Sequence, residues 1–482
     1  MYPNILAQRV NMTPNRKALT FEKKTWTFQE IFDEVMETAG KMKSSGIEAG
    51  DRIAILSPSN PTLIVAIHAS WQLGCEVVLL NSRLSDAELA YQINDAQPAR
   101  VLVDESFMER IIFHNMLSLQ QLFNMTSMAT EIEEEWELDR TLSIMYTSGT
   151  TGRPKGVRQT VLNHTTNATA SAFNMGIQTD DVWLCTMPLF HISGLSILIR
   201  SVLYGMEVKL YEKFDLEPIV DDLVNGRVTR MSVVSVMLER ILRELEERDV
   251  KVSPRLLTML VGGGPVPSNY LERAMSRGIP ILQTYGMTET ASQTATLAPE
   301  DAVRKLGSSG KPLYLSYIKI DQALKPFDEG EICVRGSHVT PGYIGQHQQT
   351  ASQENGWLFT GDIGYMDEEG YLFVVDRRSD LIISGGENIY PAEVENAILQ
   401  HPMIREAGVC GMDDDTWGQV PVAFITSNEE IPLNTLQEFL QSRLAPYKIP
   451  KVLYHLDKMP RNASNKLLRR ELREWVSSQS NK

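Results

Sequence analysis

The sequence is poor in cysteine and in cationic residues. Its 482 residues include only four cysteines, Cys75, Cys185, Cys333 and Cys410, and no Cys-x-x-Cys pair of the kind that binds zinc or exchanges disulfides. Lysine and arginine number 46 against 61 acidic residues, which gives a formal net charge of -15. Nucleic acids and anionic membrane surfaces favour basic faces, so we expect neither as a partner. An anionic substrate must therefore be bound by local cationic groups.

Long apolar segments are also missing. No run reaches the ~18 residues that a membrane-spanning helix needs, and the N-terminus lacks a basic segment followed by an apolar one. We therefore expect no signal peptide, no stable membrane insertion and a cytoplasmic location. The composition, with 43% hydrophobic and 22% charged residues, is typical of a globular protein. The length exceeds what one core usually fills, so at least two domains are predicted.

Strand-like and helix-like segments alternate over residues 17–103 and again over residues 141–285. This alternation predicts β-α units around largely parallel sheets. The acidic residues 131–137 between the two halves indicate a solvated connection. Residues 314–335 lose the helical period and predict a small β-rich region. The predicted fold is α/β: a large body of β-α subdomains with a small β-rich subdomain over residues 1–376, and a mobile C-terminal α+β lid over residues 377–482.

The strongest local motif is YTSGTTGRPKG at residues 146–156, directly after a strand-like segment. Its glycines let the backbone present N–H groups, its hydroxyls add donors, and Arg153 and Lys155 add positive charge. A polyphosphate needs these groups. The motif is neither a Walker A loop nor a Rossmann fingerprint, and a Ser/Thr/Gly-rich surface linker is the alternative. The predicted phosphate-binding residues are Thr147, Ser148, Gly149, Thr150, Thr151, Gly152 and Lys155.

This loop resembles the signature loop of the adenylate-forming superfamily, which includes acyl- and aryl-CoA synthetases, luciferases and the adenylation domains of peptide synthetases. Further motifs occur in the order that this family requires: LVGGGP at residues 260–265, QTYGMTET at 283–290 and WLFTGDIG at 357–364. A glycine turn such as the first lets a flat ring approach the backbone, although alone it also fits a plain turn. The resemblance implies that ATP and Mg²⁺ bind here.

The resemblance also implies individual roles. Tyr285 and Gly286, with Gly264, would lie against the adenine. Thr288 would contact the α-phosphate and Glu289 would help to hold Mg²⁺, which prefers one or two carboxylates plus phosphate oxygens. The ribose would be bound by Asp362 and Arg377. The alternatives are a solvated glutamate at a helix start and a turn aspartate paired with a surface arginine.

The acyl site is predicted around PLFHISG at residues 188–194. In the family the corresponding histidine, here His191, borders the acyl pocket, whereas a lone histidine near a helix start is more often structural. The other predicted pocket residues are Ser193, Gly262 and Gly263. Arg200 lies in an apolar helical run, where an unpaired charge is costly. It therefore favours a substrate with a second carboxylate, and a surface arginine with a buried stem is the alternative.

The C-terminal part carries two further motifs of the family, DRRSDLIISGGENIYP at residues 376–391 and PRNASNKLLR at 460–469. By resemblance the lid rotates about Ser379, where relatives commonly carry Asp or Lys, and brings Gly385 and Gly386 toward the pantetheine tunnel. Lys466 would bridge the carboxylate and the α-phosphate, and a surface lysine is the alternative. Asn465 replaces the usual glycine and can adopt the positive φ that glycine would supply.

Over nearly its whole length the sequence resembles the o-succinylbenzoate–CoA ligases of bacterial menaquinone synthesis. This implies ATP-dependent formation of an acyl-adenylate followed by transfer to coenzyme A. The chain has sixteen residues after Lys466 and no carrier domain there, which favours coenzyme A as the acceptor. The alternatives are another aryl- or medium-chain acyl-CoA ligase and a non-catalytic adenylate-binding relative. The sequence leaves open whether copies of the chain form a homo-oligomer.

Overall fold

The structure, a computed structural model, describes residues 1–147, 154–264, 266–348, 353–377, 380–384, 387–414, 417–462 and 465–480. Within them, a six-stranded sheet forms the first part of the body. All of its neighbouring strands are parallel except its first pair, which is antiparallel. In spatial order its strands are β10 (Lys155–Thr160), β9 (Thr141–Thr147), β5 (Glu76–Leu79), β4 (Arg52–Leu56), β6 (Arg100–Val103) and β7 (Met116–Ser118).

A second, nine-stranded sheet forms the rest of the body in the described residues. Its central strands are parallel, and antiparallel pairs lie at both ends. In spatial order its strands are β17 (Lys311–Pro312), β16 (Ser292–Thr296), β15 (Ile281–Met287), β14 (Thr258–Val261), β13 (Arg230–Val233), β11 (Val182–Cys185), β12 (Glu207–Leu210), β2 (Lys17–Phe21) and β3 (Lys24–Thr27).

Helices cover these sheets, and several of them, including α2, α3, α4 and α6, begin at a side chain that caps them. The clearest example is α2, where Thr27 and Glu30 form a reciprocal capping box. The apolar faces of helices and strands meet in one large core that reaches both sheets. The helices of the body are α1 (Ile5–Met12), α2 (Phe28–Ser44), α3 (Pro61–Gln72), α4 (Asp86–Ala96), α5 (Leu119–Phe123), α6 (Val161–Met175), α7 (Ile192–Tyr204), α8 (Leu216–Val224), α9 (Ser235–Glu247) and α10 (Ser268–Ser276).

A small antiparallel sheet follows the body, where the sequence predicts a β-rich region. Its strands are β18 (Ser316–Ile320), β19 (Gly330–Gly336), β20 (Leu358–Met366) and β21 (Leu372–Arg377). The C-terminal part has a separate mixed sheet with its own apolar cores. Its elements are β22 (Ile382–Ser384), β23 (Glu387–Ile389), α11 (Pro391–Ile398), β24 (Ile404–Asp414), β25 (Gly418–Ser427), α12 (Leu433–Gln441), β26 (Val452–His455) and α13 (Arg469–Ser480).

The predicted fold class is confirmed: a large α/β body, a small β-rich sheet and a C-terminal α+β unit. One expectation needs correction. The acidic stretch is mostly exposed, but its Trp136 is buried and belongs to β8 (Glu135–Trp136), which pairs with β1 (Tyr2–Pro3). An aromatic residue within an acidic run is easily overlooked, because the charges dominate the local pattern.

All four cysteines are free and buried. Burial raises the pKa of the thiols of Cys75, Cys185 and Cys410 to about 12. Among the described residues, no helix is both long enough and apolar enough to cross a membrane.

Candidate active site

The predicted phosphate loop connects β9 to β10. These strands are antiparallel, and Thr147 lies opposite Lys155 in their register. The first and last predicted contacts of the loop are therefore held side by side. The other predicted contacts, and Arg153, lie outside the described residues; they are Ser148, Gly149, Thr150, Thr151 and Gly152.

Asp95, on α4, anchors the strand that leads into this loop. The hydroxyl of Tyr146 donates to Asp95 Oδ2 at 2.8 Å, and the backbone N–H of Gln346 donates to Asp95 Oδ1 at 2.8 Å. Burial raises the pKa of Tyr146, and the hydrogen bond to Asp95 raises it further. Sequence reasoning missed Asp95, because its partners come from distant segments of the chain.

Two residues that the resemblance assigns to the nucleoside lie in contact. The hydroxyl of Tyr285 donates to Asp362 Oδ2 at 2.8 Å, and both side chains are buried. Asp362 also lies opposite Arg377 in the pairing of β20 with β21. The predicted adenine and ribose contacts are therefore adjacent, although they come from two different sheets.

Thr288 and Glu289 form a short 3₁₀ turn between β15 and β16. Gln159 Nε2 donates to the carbonyl of Thr288 at 2.8 Å, and the carbonyl of Glu289 accepts from the N–H of Thr340 at 2.7 Å. The turn is approached closely at Gly286, where a Cβ atom would lie 1.8 Å from the carbonyl oxygen of Ser292. Glycine is therefore required here.

The donor set around this turn fits Mg²⁺. Within the described parts of the chain, no group of three or more His, Cys, Asp or Glu side chains could hold a metal ion. Glu289 offers a carboxylate in the turn that packs against β10, the strand that follows the predicted phosphate loop. A hard cation that takes one or two carboxylates and completes its shell with phosphate oxygens suits such a place.

His191 directly precedes α7, and its side chain makes no capping hydrogen bond to the helix. Burial, together with the nearby positive charges of Arg83 and Lys466, lowers the pKa of His191 to about 3. The imidazole is therefore neutral at pH 7. Arg83 was not predicted: it lies in the loop after β5, and no local motif distinguishes it.

Lys466 reaches the body from the C-terminal part of the chain. A methyl group placed on Gly263 would lie 3.7 Å from Lys466 Cε. Asn462 holds the loop in place, because its side chain accepts from the N–H of Lys466 at 2.9 Å. Asn465 has a φ of +61°, the conformation that its replacement of glycine predicts.

Ser193, another predicted pocket residue, lies in the first turn of α7 and is partly buried. Gly262, also predicted for the pocket, packs against Thr284, since a Cβ atom there would be 2.8 Å from Thr284 Cγ2. At Gly264, a predicted adenine contact, no atom of the described residues lies within 4 Å of an added Cβ, so the described structure leaves space beside this residue.

Arg200 is buried, with 1% of its surface exposed, so the alternative of a surface arginine is wrong. It donates to Asn167 Oδ1 at 3.1 Å and to Ser292 Oγ at 3.5 Å, and it lies 5.4 Å from the ring centre of Trp183. Burial lowers the pKa of its guanidinium, while Tyr204 opposes that shift. Its Nε is buried and has no hydrogen-bond partner among the described residues.

Comparison with protein families identifies the type of site. The AMP-binding enzyme family matches residues 6–344, and the AMP-binding enzyme C-terminal domain matches residues 393–466. The chain belongs to the AMP-binding enzyme family. Tyr285 lies within the first match, Asp362 lies between the two matches, and Lys466 is the last residue of the second.

Individual members of the family are similar over almost the whole chain. The 2-succinylbenzoate–CoA ligase of Bacillus pumilus (strain SAFR-032) is 46% identical over 98% of this chain and 97% of the relative. A structure of o-succinylbenzoate CoA synthetase from Bacillus subtilis in complex with the acyl-adenylate intermediate has a TM-score of 0.92 at 44% identity, with 98% of both chains covered. Another, with ATP and a magnesium ion, has a TM-score of 0.91 at 44% identity and covers 98% of this chain and 99% of that one.

The C-terminal domain of the family contacts the body through a cluster of charges. Arg469 donates to both carboxylate oxygens of Glu395, at 3.0 and 2.7 Å, to Asp380 at 3.2 Å and to Asp376 at 3.4 Å. Burial lowers the pKa of Arg469, but these carboxylates outweigh burial and raise it. The predicted hinge residue Ser379 and the predicted pantetheine contacts Gly385 and Gly386 lie outside the described residues.

Proposed function

We propose that this protein joins 2-succinylbenzoate to coenzyme A in two steps, as an AMP-forming acid–thiol ligase of menaquinone synthesis. In the first step a carboxylate oxygen of the acid attacks the α-phosphorus of ATP, and pyrophosphate leaves with the electrons of the broken P–O bond. In the second step the coenzyme A thiolate attacks the acyl carbonyl, and AMP leaves. The position of Lys466 beside Gly263 and His191 is the observation that carries this proposal.

The first step brings two anions together, and the site supplies cations for them. Lys466 would neutralise the carboxylate and the α-phosphate as charge shifts between them in the transition state. His191, neutral at pH 7, would border the acyl carboxylate without adding charge. Thr288 would donate to the α-phosphate. Thr147 and Lys155 would hold the other phosphates together with the rest of the loop.

The nucleoside and the metal would be held on the other side of the reacting atoms. The Tyr285–Asp362 pair would accept the adenine and the ribose, with Arg377 on the neighbouring strand. Glu289 would hold Mg²⁺ together with phosphate oxygens, and the ion would supply charge neutralisation at the phosphates. No covalent intermediate on the protein is needed.

Arg200 supports an acid that has a second carboxylate. It is a buried cation that donates to the neutral side chains of Asn167 and Ser292, and its Nε lacks a partner among the described residues. A substrate carboxylate would remove the cost of leaving such a charge uncompensated. The succinyl carboxylate of 2-succinylbenzoate fits this requirement, whereas a fatty acid or benzoate has no second anion to offer.

We further propose that residues 377–482 rotate as a lid against residues 1–376 between the two steps. Ser379 would be the hinge, and the turn at Gly385 and Gly386 would then line the pantetheine tunnel. Rotation about a few boundary residues is an established way to exchange catalytic groups. A cytoplasmic location is part of the same proposal, because the substrates are nucleotide and coenzyme A.

Substrate-dependent ATP–pyrophosphate exchange tests the proposal. Exchange should occur with 2-succinylbenzoate, and addition of coenzyme A should yield the thioester and AMP. A panel with benzoate, medium-chain acids and 2-succinylbenzoate separates the alternatives. Exchange with benzoate and none with 2-succinylbenzoate would overturn the substrate but leave the two-step mechanism. A protein that binds ATP without any exchange would instead be the non-catalytic relative.

A further inference from the structure

A short segment, residues 340–344, links the exit of the phosphate loop to the turn that carries Glu289. It lies along β10: Ile344 N–H donates to the carbonyl of Gly156 at 2.9 Å, and Tyr343 pairs with Val157. At its other end the N–H of Thr340 donates to the carbonyl of Glu289 at 2.7 Å. Gly156 permits the close approach, since a Cβ atom there would lie 2.6 Å from Ile344 Cγ1.

The side chain of Tyr343 also lies between Glu289 and Lys155. Burial raises the pKa of Tyr343, and the carboxylate of Glu289, which lies near its hydroxyl, raises it further. Lys155 Nζ lies 5.2 Å from the centre of its ring, within the range of a cation–π interaction. The side chain is buried, with 8% of its surface exposed. One residue therefore contacts both the predicted metal ligand and a predicted phosphate-binding lysine.

We propose that Tyr343 is a positioning residue that presents Glu289 to the magnesium ion of Mg-ATP and holds Lys155 beside the phosphates. The hydroxyl donates to one carboxylate oxygen, which fixes the carboxylate plane and leaves the remaining lone pairs for the cation. Partners that orient a metal ligand in this way contribute strongly to metal affinity. Tyr343 itself touches neither substrate nor metal.

The inference rests on the proposed role of Glu289 and deepens it. If Tyr343 acted only by packing, its replacement would weaken the binding of every ligand to the same extent. A positioning tyrosine has a narrower effect, because only the metal-dependent part of ATP binding passes through Glu289. The difference between ATP affinity with Mg²⁺ and without Mg²⁺ is thus the quantity to measure.

Isothermal titration calorimetry of ATP in the absence of the acid gives this difference directly. In Tyr343→Phe the gain in ATP affinity on adding Mg²⁺ should fall by about 10-fold, while the metal-free affinity stays near that of the parent. Tyr211→Phe is the matched control: Tyr211 also donates to a carboxylate, Asp222 Oδ2 at 2.7 Å, and its loss should leave the gain unchanged. An unchanged gain in Tyr343→Phe, or an equal fall with and without Mg²⁺, overturns the proposal.

Two further variants keep the result interpretable. Tyr343→His retains a ring N–H donor and should keep more of the gain than Tyr343→Leu; equal losses would contradict a donor role. Glu289→Gln should lose the gain, and adding Tyr343→Phe to it should change nothing more, because coupled residues are not additive. If Glu289→Gln keeps the gain, the proposed metal role of Glu289 fails. If Glu289→Gln loses the gain in ATP affinity but Tyr343→Phe keeps it, the positioning role of Tyr343 fails and the metal role of Glu289 stands.

Discussion

Two arginines are buried in the same part of the body, and they differ in what neutralises them. Arg230 forms an ion pair with Asp181 at 2.9 Å. Arg200, equally buried, donates to the neutral oxygens of Asn167 and Ser292. A guanidinium without a carboxylate in a buried site is costly and uncommon. The first arginine is explained by the fold, whereas the second is best explained by an anion that arrives with the substrate.

Replacing Arg200 by Met should therefore separate substrate binding from nucleotide binding. We expect KM for 2-succinylbenzoate to rise by roughly 30- to 150-fold, which corresponds to a lost charged hydrogen bond of about 2–3 kcal/mol. The affinity for ATP should remain close to that of the parent. Steady-state kinetics with varied acid and ATP titrations provide the two measurements. Parental kcat/KM for the acid would exclude a contact with the second carboxylate.

Single residues were predictable from the sequence only where a local motif carried them. Tyr285, Glu289 and Asp362 each lie in a short conspicuous run. Asp95 and Tyr343 do not, because each acts through partners that lie far away in the chain. A hydrogen bond between remote segments leaves no local pattern, so such residues became visible only with the fold.

At the scale of elements, the hairpin of β15 and β16 joins the nucleoside side of the site to the metal side. Tyr285 lies on its first strand, and Thr288 and Glu289 form its turn. The pairing shifts register between Tyr285 and Gly286. Such an irregularity changes the direction of side chains along a strand, so it helps to place the predicted adenine contact Tyr285 and the predicted phosphate contact Thr288 on one site.

Gly286→Ala tests this geometry. A Cβ atom would lie 1.8 Å from a backbone oxygen, so strands must separate, and we expect a loss of about 2 kcal/mol or more in the free energy of unfolding. Gly264→Ala is the control for stability, because no atom of the described part of the chain lies within 4 Å of its added Cβ. Denaturant unfolding of both variants gives the comparison. Equal stability of the two would show that the hairpin can relax around the methyl group.

The elements themselves were largely predictable, since apolar periodicity and capping residues are local. The pairing of strands was not. β2 and β3 precede the six-stranded sheet in the chain, yet they join the nine-stranded sheet beside β12. Strands that lie far apart in the chain become neighbours in a sheet because of how the whole body packs. The periodicity within one strand carries no information about such a partner.

At the scale of the molecule, the ion cluster around Arg469 connects the body to the C-terminal part. Asp376 is the last residue of the predicted body, Asp380 and Glu395 follow it, and Arg469 contacts all three. Lys466 lies three residues before this arginine in the chain, just ahead of α13. The cluster therefore places the proposed catalytic lysine as well as the domain that carries it.

Arg469→Met should remove the cation that Glu395, Asp380 and Asp376 share, although Asp380 keeps its ion pair with Arg473. Removing one partner of a buried ion pair typically costs about 3 kcal/mol or more, so we expect a clear fall in stability and in ATP–pyrophosphate exchange. Arg470→Met is the matched control, since Arg470 pairs with Glu474 at an exposed position, where an ion pair contributes little to stability. The melting temperature and the ATP–pyrophosphate exchange rate are measured for both variants and compared with those of the parent. Similar behaviour of the two would argue against a role for the cluster.

The burial of the cysteines has a consequence for the fate of the acyl-adenylate intermediate. An acyl-adenylate reacts with any accessible thiolate, and a protein with a reactive cysteine beside it would acylate itself. With a pKa of about 12 for Cys75, Cys185 and Cys410, only about one such thiol in 10⁵ is ionised at pH 7. Because they are buried and almost entirely un-ionised, we expect these thiols not to attack the intermediate. The thiol of coenzyme A would then be the nucleophile that receives the activated acid.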